Sequence, residues 1–276
     1  MLAGFNVFLD TGGEVVYYRV EMDNQRRQRV VVLGTADAVA TAERDNTFLV
    51  FDSPGGALLI DCAGSPAHKL LRGGVDPHRL KCMILTHAHP DHIYGFPSLV
   101  HHLHLTGRTE PLYIYAPAET RRAAGGLLEI LDLDKGFVVF HVIPEKRAHL
   151  LIEDDEYLLY TSPTCHGIPS VALRITSRLS GRSLVYSSDT GPCPALVDLA
   201  QGADILIHEA SVMEPSKIHT TPWHAAELAE RCGVGRLILI HYPQALLEHL
   251  QGALIEVHKR YGGEVHLAEA YDVYYL

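Results

Sequence analysis

One short stretch constrains this chain more than any other feature. Residues 86–92 read T-H-A-H-P-D-H and directly follow the apolar run 82–85, which predicts a short buried strand. Three imidazoles and one carboxylate within six positions cannot be apolar core. His87 and His89 alternate in an extended segment and project to the same side, and Pro90 then turns the chain. The stretch predicts a metal-binding loop at the end of a strand.

The ligand types narrow the choice of ion. Imidazole combined with carboxylate suits Zn, Fe, Ni or Mn rather than Ca. One ion cannot easily take all four groups from so tight a loop, whereas two ions can share them. The alternative is a solvated polar loop, but four such residues rarely coincide at this spacing.

Composition limits the class of protein. The 276 residues are 47% hydrophobic, which allows a sizeable core and excludes wholesale disorder. No apolar run approaches the roughly 18 residues of a membrane span. The N-terminus lacks signal-peptide features, so a cytoplasmic location is expected. Five cysteines without a C-x-x-C pair fit neither a disulfide scaffold nor a thiolate zinc site. Lys and Arg number 23 against 33 Asp and Glu, and the net charge of −10 argues against a protein that coats nucleic acid.

Strands come first as meanders and later alternate with helices, which predicts a mixed α/β chain. Residues 1–276 are predicted to form a single domain, with residues 1–29 as an N-terminal extension that contains a hairpin. Helices are expected at 65–73, 98–105, 117–130, 194–202, 222–232 and 243–261. Strands are expected at 30–33, 47–52, 57–61, 82–85, 112–115, 138–142, 157–160, 171–176, 183–187 and 205–208, with a last hairpin at 265–276.

The histidine loop resembles the signature of the metallo-β-lactamase superfamily, T-H-x-H-x-D-H after a strand. Three later positions match the family's remaining ligands: His166 in T-C-H-G, Asp189 in Y-S-S-D-T-G, and His241 after the apolar run 236–240. The resemblance implies a four-layer αβ/βα sandwich, the metallo-β-lactamase fold, with two sheets back to back and helices outside.

The same resemblance implies two divalent metal ions, zinc first, with Fe, Mn, Ni or Co as alternatives. The implied ligands of one ion are His87, His89 and His166. Those of the other are Asp91, His92 and His241, with Asp189 shared by both. Asp91 is also a candidate acceptor for the proton of the bridging water.

Further segments are similar to the ribonuclease Z-like branch, which cleaves phosphodiesters, over roughly residues 30–245. The most specific are H-E-A at 208–210 and H-T-T at 219–221. In such a hydrolase a metal-bridging hydroxide attacks phosphorus while two ions offset its charge. His219 would contact a non-bridging oxygen or protonate the leaving group, and Glu209 would orient His219 and keep it protonated. The alternatives are a surface histidine and a solvent-exposed carboxylate at the end of a strand.

The chain departs from that branch in two places. Transfer-RNA-processing members carry a long arm between the third histidine ligand and the bridging aspartate, but only 23 positions separate His166 from Asp189 here. The segment Y-P-Q at 242–244 also replaces a serine- and arginine-containing one. A small phosphodiester or nucleotide is therefore the predicted substrate, ahead of RNA, and no membrane partner is expected.

Three rival hypotheses stay open at this stage. The first is a lactonase or thioesterase that uses the same metal centre. The second is a transfer-RNA 3′-processing endonuclease, the activity of the transfer-RNA-processing members of this branch. The third is a non-catalytic scaffold that retains only the fold. His208 is assigned to packing or to the support of a ligand, and His101 and His104 to a helix surface or the lining of the cleft. Members of this branch often form homodimers, which no spacing in the sequence tests.

Overall fold

The structure is a computed structural model that describes residues 27–133 and 136–276, together with the backbone of two earlier strands, β1 (Asn6–Leu9) and β2 (Val15–Tyr18). These two strands pair antiparallel. The turn of the predicted N-terminal hairpin, residues 10–14, lies outside the described residues. The single-domain assignment of residues 1–276 stays a prediction.

The remaining described strands follow in chain order. They are β3 (Arg29–Gly34), β4 (Phe48–Ser53), β5 (Gly56–Ile60), β6 (Leu80–Ile84), β7 (Leu112–Ala116), β8 (Val138–Val142), β9 (His149–Glu153), β10 (Tyr157–Pro163), β11 (Val171–Ser177), β12 (Ser183–Tyr186), β13 (Ile205–Glu209), β14 (Arg236–Ile240), β15 (Glu264–Leu267) and β16 (Val273–Tyr275). The described α-helices are α1 (Pro66–Arg72), α2 (Pro90–Ile93), α3 (Phe96–Leu105), α4 (Ala118–Ile130), α5 (Pro194–Ala200), α6 (Pro222–Arg231), α7 (Gln244–Glu248) and α8 (Leu250–His258). Of the helices in the described part of the chain, none has the length and apolar character to cross a membrane.

Within the described residues, two seven-stranded sheets carry the fold. One has the strand order β16-β3-β4-β5-β6-β7-β8, and the other has the order β15-β14-β13-β12-β11-β10-β9. Their facing sides share one apolar core, to which Phe51 and Ile84 contribute from the first sheet and Tyr186 and Ile207 from the second. The outer side of the first sheet packs on α1, α3 and α4, and that of the second packs on α5, α6 and α8. The predicted four-layer αβ/βα sandwich is confirmed.

The central strands read as continuous apolar runs because both of their faces are covered. All five residues of β13 are buried, as are Leu237 to Ile240 of β14. Such runs are typical of parallel strands between two layers, and β13 does pair parallel with both β12 and β14. In the sequence, these strands are therefore indicated by consecutive apolar residues and not by an alternation of apolar and polar residues.

Four features of the fold differ from the sequence prediction. The expected hairpin at 265–276 is wrong, because β15 pairs parallel with β14 in one sheet while β16 pairs antiparallel with β3 in the other. The expected helix at 243–261 is two helices, because His249 has non-helical backbone angles (φ −117°, ψ 20°). The strand β9 and the four-residue helix α2 were not predicted.

Candidate metal centre

The candidate site lies where six strands end. β5 and β6 are parallel in one sheet, and β12, β13 and β14 are parallel in the other. β10 runs in the direction of β12, because both pair antiparallel with β11. Their carboxyl ends therefore gather at one edge of each sheet, where sites in α/β folds are usually built. The polar residues at or just beyond these ends are Asp61, residues 86–92, His166, Asp189, Glu209 and His241.

The first group of ligand-type side chains, here called the His166 cluster, consists of His87, His89, His166 and Asp189. One potential ligand atom from each lies within 4.8 Å of the others. The Nδ1 atom of His89 is 3.1 Å from Nε2 of His87 and 3.1 Å from Nε2 of His166. Three imidazole nitrogens thus converge on one small volume.

The second group, here called the His241 cluster, consists of Asp91, His92 and His241. The Nε2 atoms of His92 and His241 are 3.2 Å apart. Oδ2 of Asp91 lies 3.4 Å from the first and 3.3 Å from the second. The short helix α2 makes this possible, because Asp91 and His92 lie in its first turn and leave the strand direction that His87 and His89 follow.

Asp189 lies between the two clusters and presents one oxygen to each. Its Oδ2 is 3.7 Å from Nε2 of His87, in the His166 cluster. Its Oδ1 is 3.5 Å from Nε2 of His92 and 3.6 Å from Nε2 of His241. This is the arrangement expected of a carboxylate that two metal ions share.

The outward nitrogens of four histidines are held by acceptors, which fixes where each ring carries its proton. Nδ1 of His92 donates to Oδ2 of Asp61 (2.9 Å), and Nδ1 of His166 donates to the carbonyl of Ile218 (2.9 Å). Neither acceptor can donate a proton in return. Both rings therefore turn an unprotonated Nε2 toward the cluster whenever they are neutral.

Two hydroxyl groups impose the same state on the other two rings. Thr86 donates its hydroxyl proton to Asp61 and so accepts from Nδ1 of His87 (3.1 Å). Ser211 donates to Glu209 and so accepts from Nδ1 of His241 (2.8 Å). His87 and His241 thus also direct an unprotonated Nε2 inward.

Lone pairs that face lone pairs repel each other unless a proton or a metal ion lies between them. Oδ1 of Asp189 is buried and has no hydrogen-bond partner among the described residues. Burial lowers the pKa of His92, but Asp61 and Asp189 outweigh burial and raise that pKa well above its ordinary value. The cluster therefore demands positive charge. Its histidine and carboxylate donors fit divalent transition-metal ions in both clusters.

Three of the six described non-glycine residues with positive φ lie at the same strand ends. Asp61, Ser188 and His241 have positive φ angles of 61°, 51° and 53°, in the left-handed region that non-glycine residues rarely adopt. Each lies directly at, or within two residues of, the end of β5, β12 or β14. Such strain costs on the order of 1–3 kcal/mol per residue and persists where the surroundings hold it, as they do at functional sites.

Glu209, at the end of β13, connects three segments around the clusters. Its Oε1 accepts from the backbone N–H of Thr190 (2.8 Å) and from Nδ1 of His219 (3.0 Å). Its Oε2 accepts from the backbone N–H of Ser211 (3.0 Å) and from the hydroxyl of the same residue. The carboxylate is 1% exposed and fully hydrogen-bonded, so it holds its neighbours rather than facing solvent.

His219 lies beside the His166 cluster, with its ring 5.0 Å from the ring of His166. Its side chain is partly exposed, at 23%. Burial alone would lower the pKa of His219, but the hydrogen bond and the charge of Glu209 outweigh burial and raise it. Glu209 therefore keeps this imidazole protonated to higher pH than burial alone would allow.

The structure brings together every residue that the sequence singled out for the site, although their roles stay proposals. His208 lies outside both clusters; it is buried on β13, and its Nδ1 donates to the carbonyl of Glu209 (2.8 Å). Sequence reasoning missed the supporting groups Asp61, Thr86 and Ser211. A signal for Asp61 existed, because a polar side chain directly after an apolar strand also marks His241.

The four-layer sandwich and the paired histidine/aspartate clusters at its strand ends define a metallo-β-lactamase-fold hydrolase. The chain belongs to that superfamily: the family described as "Beta-lactamase superfamily domain" matches residues 57–242.

Its relatives point to one branch. Ribonuclease Z of Methanothermobacter thermautotrophicus is 27% identical over 268 residues, covering 77% of this chain and 85% of that one. The short form of human tRNase Z has a similar structure (TM-score 0.73, 25% identity, 89% of this chain and 98% of that chain). The metallo-β-lactamase fold protein YhfI of Bacillus subtilis does too (TM-score 0.78, 24% identity, 91% and 100%). The chain is a ribonuclease Z-like hydrolase, and the scaffold hypothesis is set aside.

Proposed function

We propose that the chain is a phosphodiesterase with two divalent metal ions that acts on a small phosphodiester or nucleotide. The observation that carries the proposal is the Glu209–His219 pair beside two clusters that share Asp189. A phosphodiester needs charge neutralisation at phosphorus and a proton for its leaving oxygen. Metal ions held by the two clusters would neutralise the charge at phosphorus, and the Glu209–His219 pair would supply the proton for the leaving oxygen.

The ligand roles follow the two clusters. His87, His89 and His166 would hold one ion, and Asp91, His92 and His241 would hold the other, with Asp189 contributing one oxygen to each. When bound, divalent ions activate water as a nucleophile at neutral pH and offset the negative charge of the phosphoryl group. Zinc is the proposed ion, because three- or four-ligand histidine/carboxylate sites suit it, with Fe, Mn, Ni or Co as alternatives.

The chain's own residues would move the protons. His219 would hold a proton at Nε2 and give it to the leaving oxygen, since Nδ1 is engaged with Glu209. Glu209 would keep that imidazole protonated and oriented. Asp91 would accept the proton of the attacking water, through the carboxylate that lies 3.3 Å from Nε2 of His241.

The connection between β11 and β12 supports a small substrate. The two strands form a hairpin that turns within residues 178–182, in the interval where transfer-RNA-processing members insert their long arm. The net charge of −10 also disfavours extended contact with RNA phosphates.

The direct test is hydrolysis of bis(para-nitrophenyl) phosphate and of cyclic nucleotides by metal-loaded protein, with Asp189→Ala as the control. We expect metal-dependent turnover by the parent chain. Turnover no higher than that of the control would contradict the proposal.

A second candidate function is 3′ processing of transfer RNA, for which the structural similarity to the short form of human tRNase Z is the supporting observation. Cleavage of a transfer-RNA precursor in the same screen tests it. Precursor cleavage with no turnover of small diesters would replace the first proposal. The lactonase or thioesterase alternative gains no support from the comparisons, and the homodimer and the cytoplasmic location stay predictions.

A further inference from the structure

A cavity of about 430 Å³ lies on the outer side of the second sheet, between α5 and α6. Both helices line it, and β13 contributes His208. Gly191 lines it and lies two positions after Asp189. Thr220 lines it and directly follows His219. None of the residues of the two clusters is part of the lining, so this is a separate cavity that adjoins the segments carrying Asp189 and His219.

His208 presents a buried polar ring to this cavity. Ile205 and Ile207 of β13 pack in the core between the sheets, whereas Leu206 packs in the outer layer. Because side chains alternate along a strand, His208 also faces the outer layer, where α5 and α6 lie. The residue is 1% exposed. Its Nδ1 donates to the carbonyl of Glu209 (2.8 Å), and this is its only hydrogen bond among the described residues.

The other ring nitrogen of His208, Nε2, is therefore an acceptor without a partner in the described part of the chain. Burial lowers the pKa of His208, so the ring is neutral. A neutral ring with its proton at Nδ1 carries a lone pair at Nε2. Buried polar groups nearly always have a hydrogen-bond partner, because leaving one unpaired is costly. A donor group of a molecule in the cavity would supply that partner.

The rest of the lining favours an uncharged occupant. Val197 of α5 and Leu228 of α6 contribute apolar walls. The charged residues of the lining are Asp198, Glu227 and Arg231, and all three are exposed to water. Exposed charges of both signs do not select a charged ligand. A concave, mostly apolar surface with one buried polar group is typical of a site for a small molecule.

We propose that this cavity binds a small, uncharged and largely apolar molecule that donates one hydrogen bond to Nε2 of His208. Neutral N–H heterocycles and phenols have this chemistry. The molecule would lie outside the metal centre, in contact with the segments that carry Asp189 and His219. The inference is independent of which substrate the metal centre accepts.

The experiment compares 3-methylindole with its isomer 1-methylindole in titrations of the ¹⁵N-labelled, zinc-loaded full chain, followed by NMR. The isomers have the same size, but only 3-methylindole has a free N–H. We expect both to shift the backbone amide signals of Gly191 and Thr220, and 3-methylindole to bind about tenfold more tightly. Equal Kd values would overturn the role of His208. Absence of binding by both isomers, or shifts that exclude Gly191 and Thr220, would overturn the site, with water as the only occupant.

Two variants test the site from different walls. His208→Phe keeps an aromatic ring but removes the acceptor, so it should abolish the preference and leave the affinity for 1-methylindole nearly unchanged. Leu228→Trp spares the hydrogen bond between His208 and the carbonyl of Glu209, and its larger side chain should fill the cavity and abolish both signal shifts. Ile255→Trp is the matched control, because Ile255 is 51% exposed on α8 and does not line the cavity.

The control should bind both isomers as the parent chain does. A His208→Phe variant that kept the full preference would show that Nε2 is not the acceptor. A Leu228→Trp variant with the Kd values of the parent chain would show that the isomers bind elsewhere. Neither result bears on the proposed function, which fails separately if bis(para-nitrophenyl) phosphate is not hydrolysed.

Discussion

The two ligand clusters share Asp189 but are supported differently. In the His241 cluster, His92 donates to the wholly buried carboxylate of Asp61, which also accepts from the backbone N–H and hydroxyl of Thr86. In the His166 cluster the support is neutral: a threonine hydroxyl behind His87 and a backbone carbonyl behind His166. Among the described residues, none hydrogen-bonds the outer nitrogen of His89.

This difference has a consequence for the metals. A carboxylate behind a histidine ligand fixes its orientation and makes it a stronger donor, so the His241 cluster should hold its ion more tightly. The His166 cluster is more accessible at one ligand-type residue, because His89 is only partly buried, whereas His92 and His241 are buried. The side chain of His166 itself is fully buried. We expect the more exchangeable ion to lie next to His219.

The largest expected effect comes from removing the carboxylate that joins the clusters. Asp189→Ala should lower turnover of bis(para-nitrophenyl) phosphate by more than about 10³-fold and the metal content from two ions to at most one, because both sites lose a ligand. Turnover and elemental analysis measure this. A variant that retained two ions per chain would show that the clusters are independent.

The next effect should come from the acid pair beside the His166 cluster. His219→Ala should lower kcat by about 10²- to 10⁴-fold with unchanged metal content, because it removes a proton donor and no ligand. His258→Ala, at the exposed end of α8, is the matched control and should have no effect. Loss of metal in His219→Ala would instead mean that the ring acts as a ligand.

A smaller effect is expected from removing the carboxylate that supports His92, and it tests the difference in support between the two clusters. Asp61→Asn should weaken binding at the His241 cluster by about 10- to 100-fold, so that the two metal affinities move closer together. Titration of metal-free protein with Zn²⁺ and a competing chelator can resolve the two steps. If Asp61→Asn instead weakened binding of the more weakly held ion and left binding of the more tightly held ion intact, the ranking of the two clusters would be reversed.

The smallest effect should be a shift of the pH profile. Because Glu209 raises the pKa of His219, the protonated acid persists to higher pH, and activity should fall only as the pH rises through that raised value. Glu209→Gln removes the cause of the increase and leaves burial, which lowers the pKa. The alkaline limb should then move to lower pH. Glu227→Gln on α6 is the control. If the alkaline limb of the pH profile did not move in Glu209→Gln, His219 would not be the group that transfers the proton.

The sequence located the residues of the two clusters better than the residues that support them, for a physical reason. His87, His89, Asp91 and His92 are adjacent in the chain, so their spacing alone indicates a metal site. Asp61 and Ser211 act through distances that only the fold creates, since Asp61 lies 31 positions from His92 and Ser211 lies 30 from His241. Nothing local distinguishes such residues from ordinary polar residues at strand ends.

The errors in the fold have the same origin. Two short alternating runs at 265–276 indicate a hairpin locally, but the free edges of β14 and β3 recruit one strand each. The continuous helical pattern at 243–261 does not record the single non-helical residue His249. The strands β13 and β14 were predictable, because a strand covered on both faces carries consecutive apolar residues, here Ile205 to Ile207 and Leu237 to Ile240.

The most direct test of the central claim is a metal titration of the metal-free parent chain, in which hydrolysis of bis(para-nitrophenyl) phosphate and bound metal are followed together. We predict that the tighter ion binds first with little activity, and that turnover rises as the second ion fills the His166 cluster, reaching its maximum at two ions per chain. Full activity at one ion or fewer, or activity that persists without metal, would contradict the account.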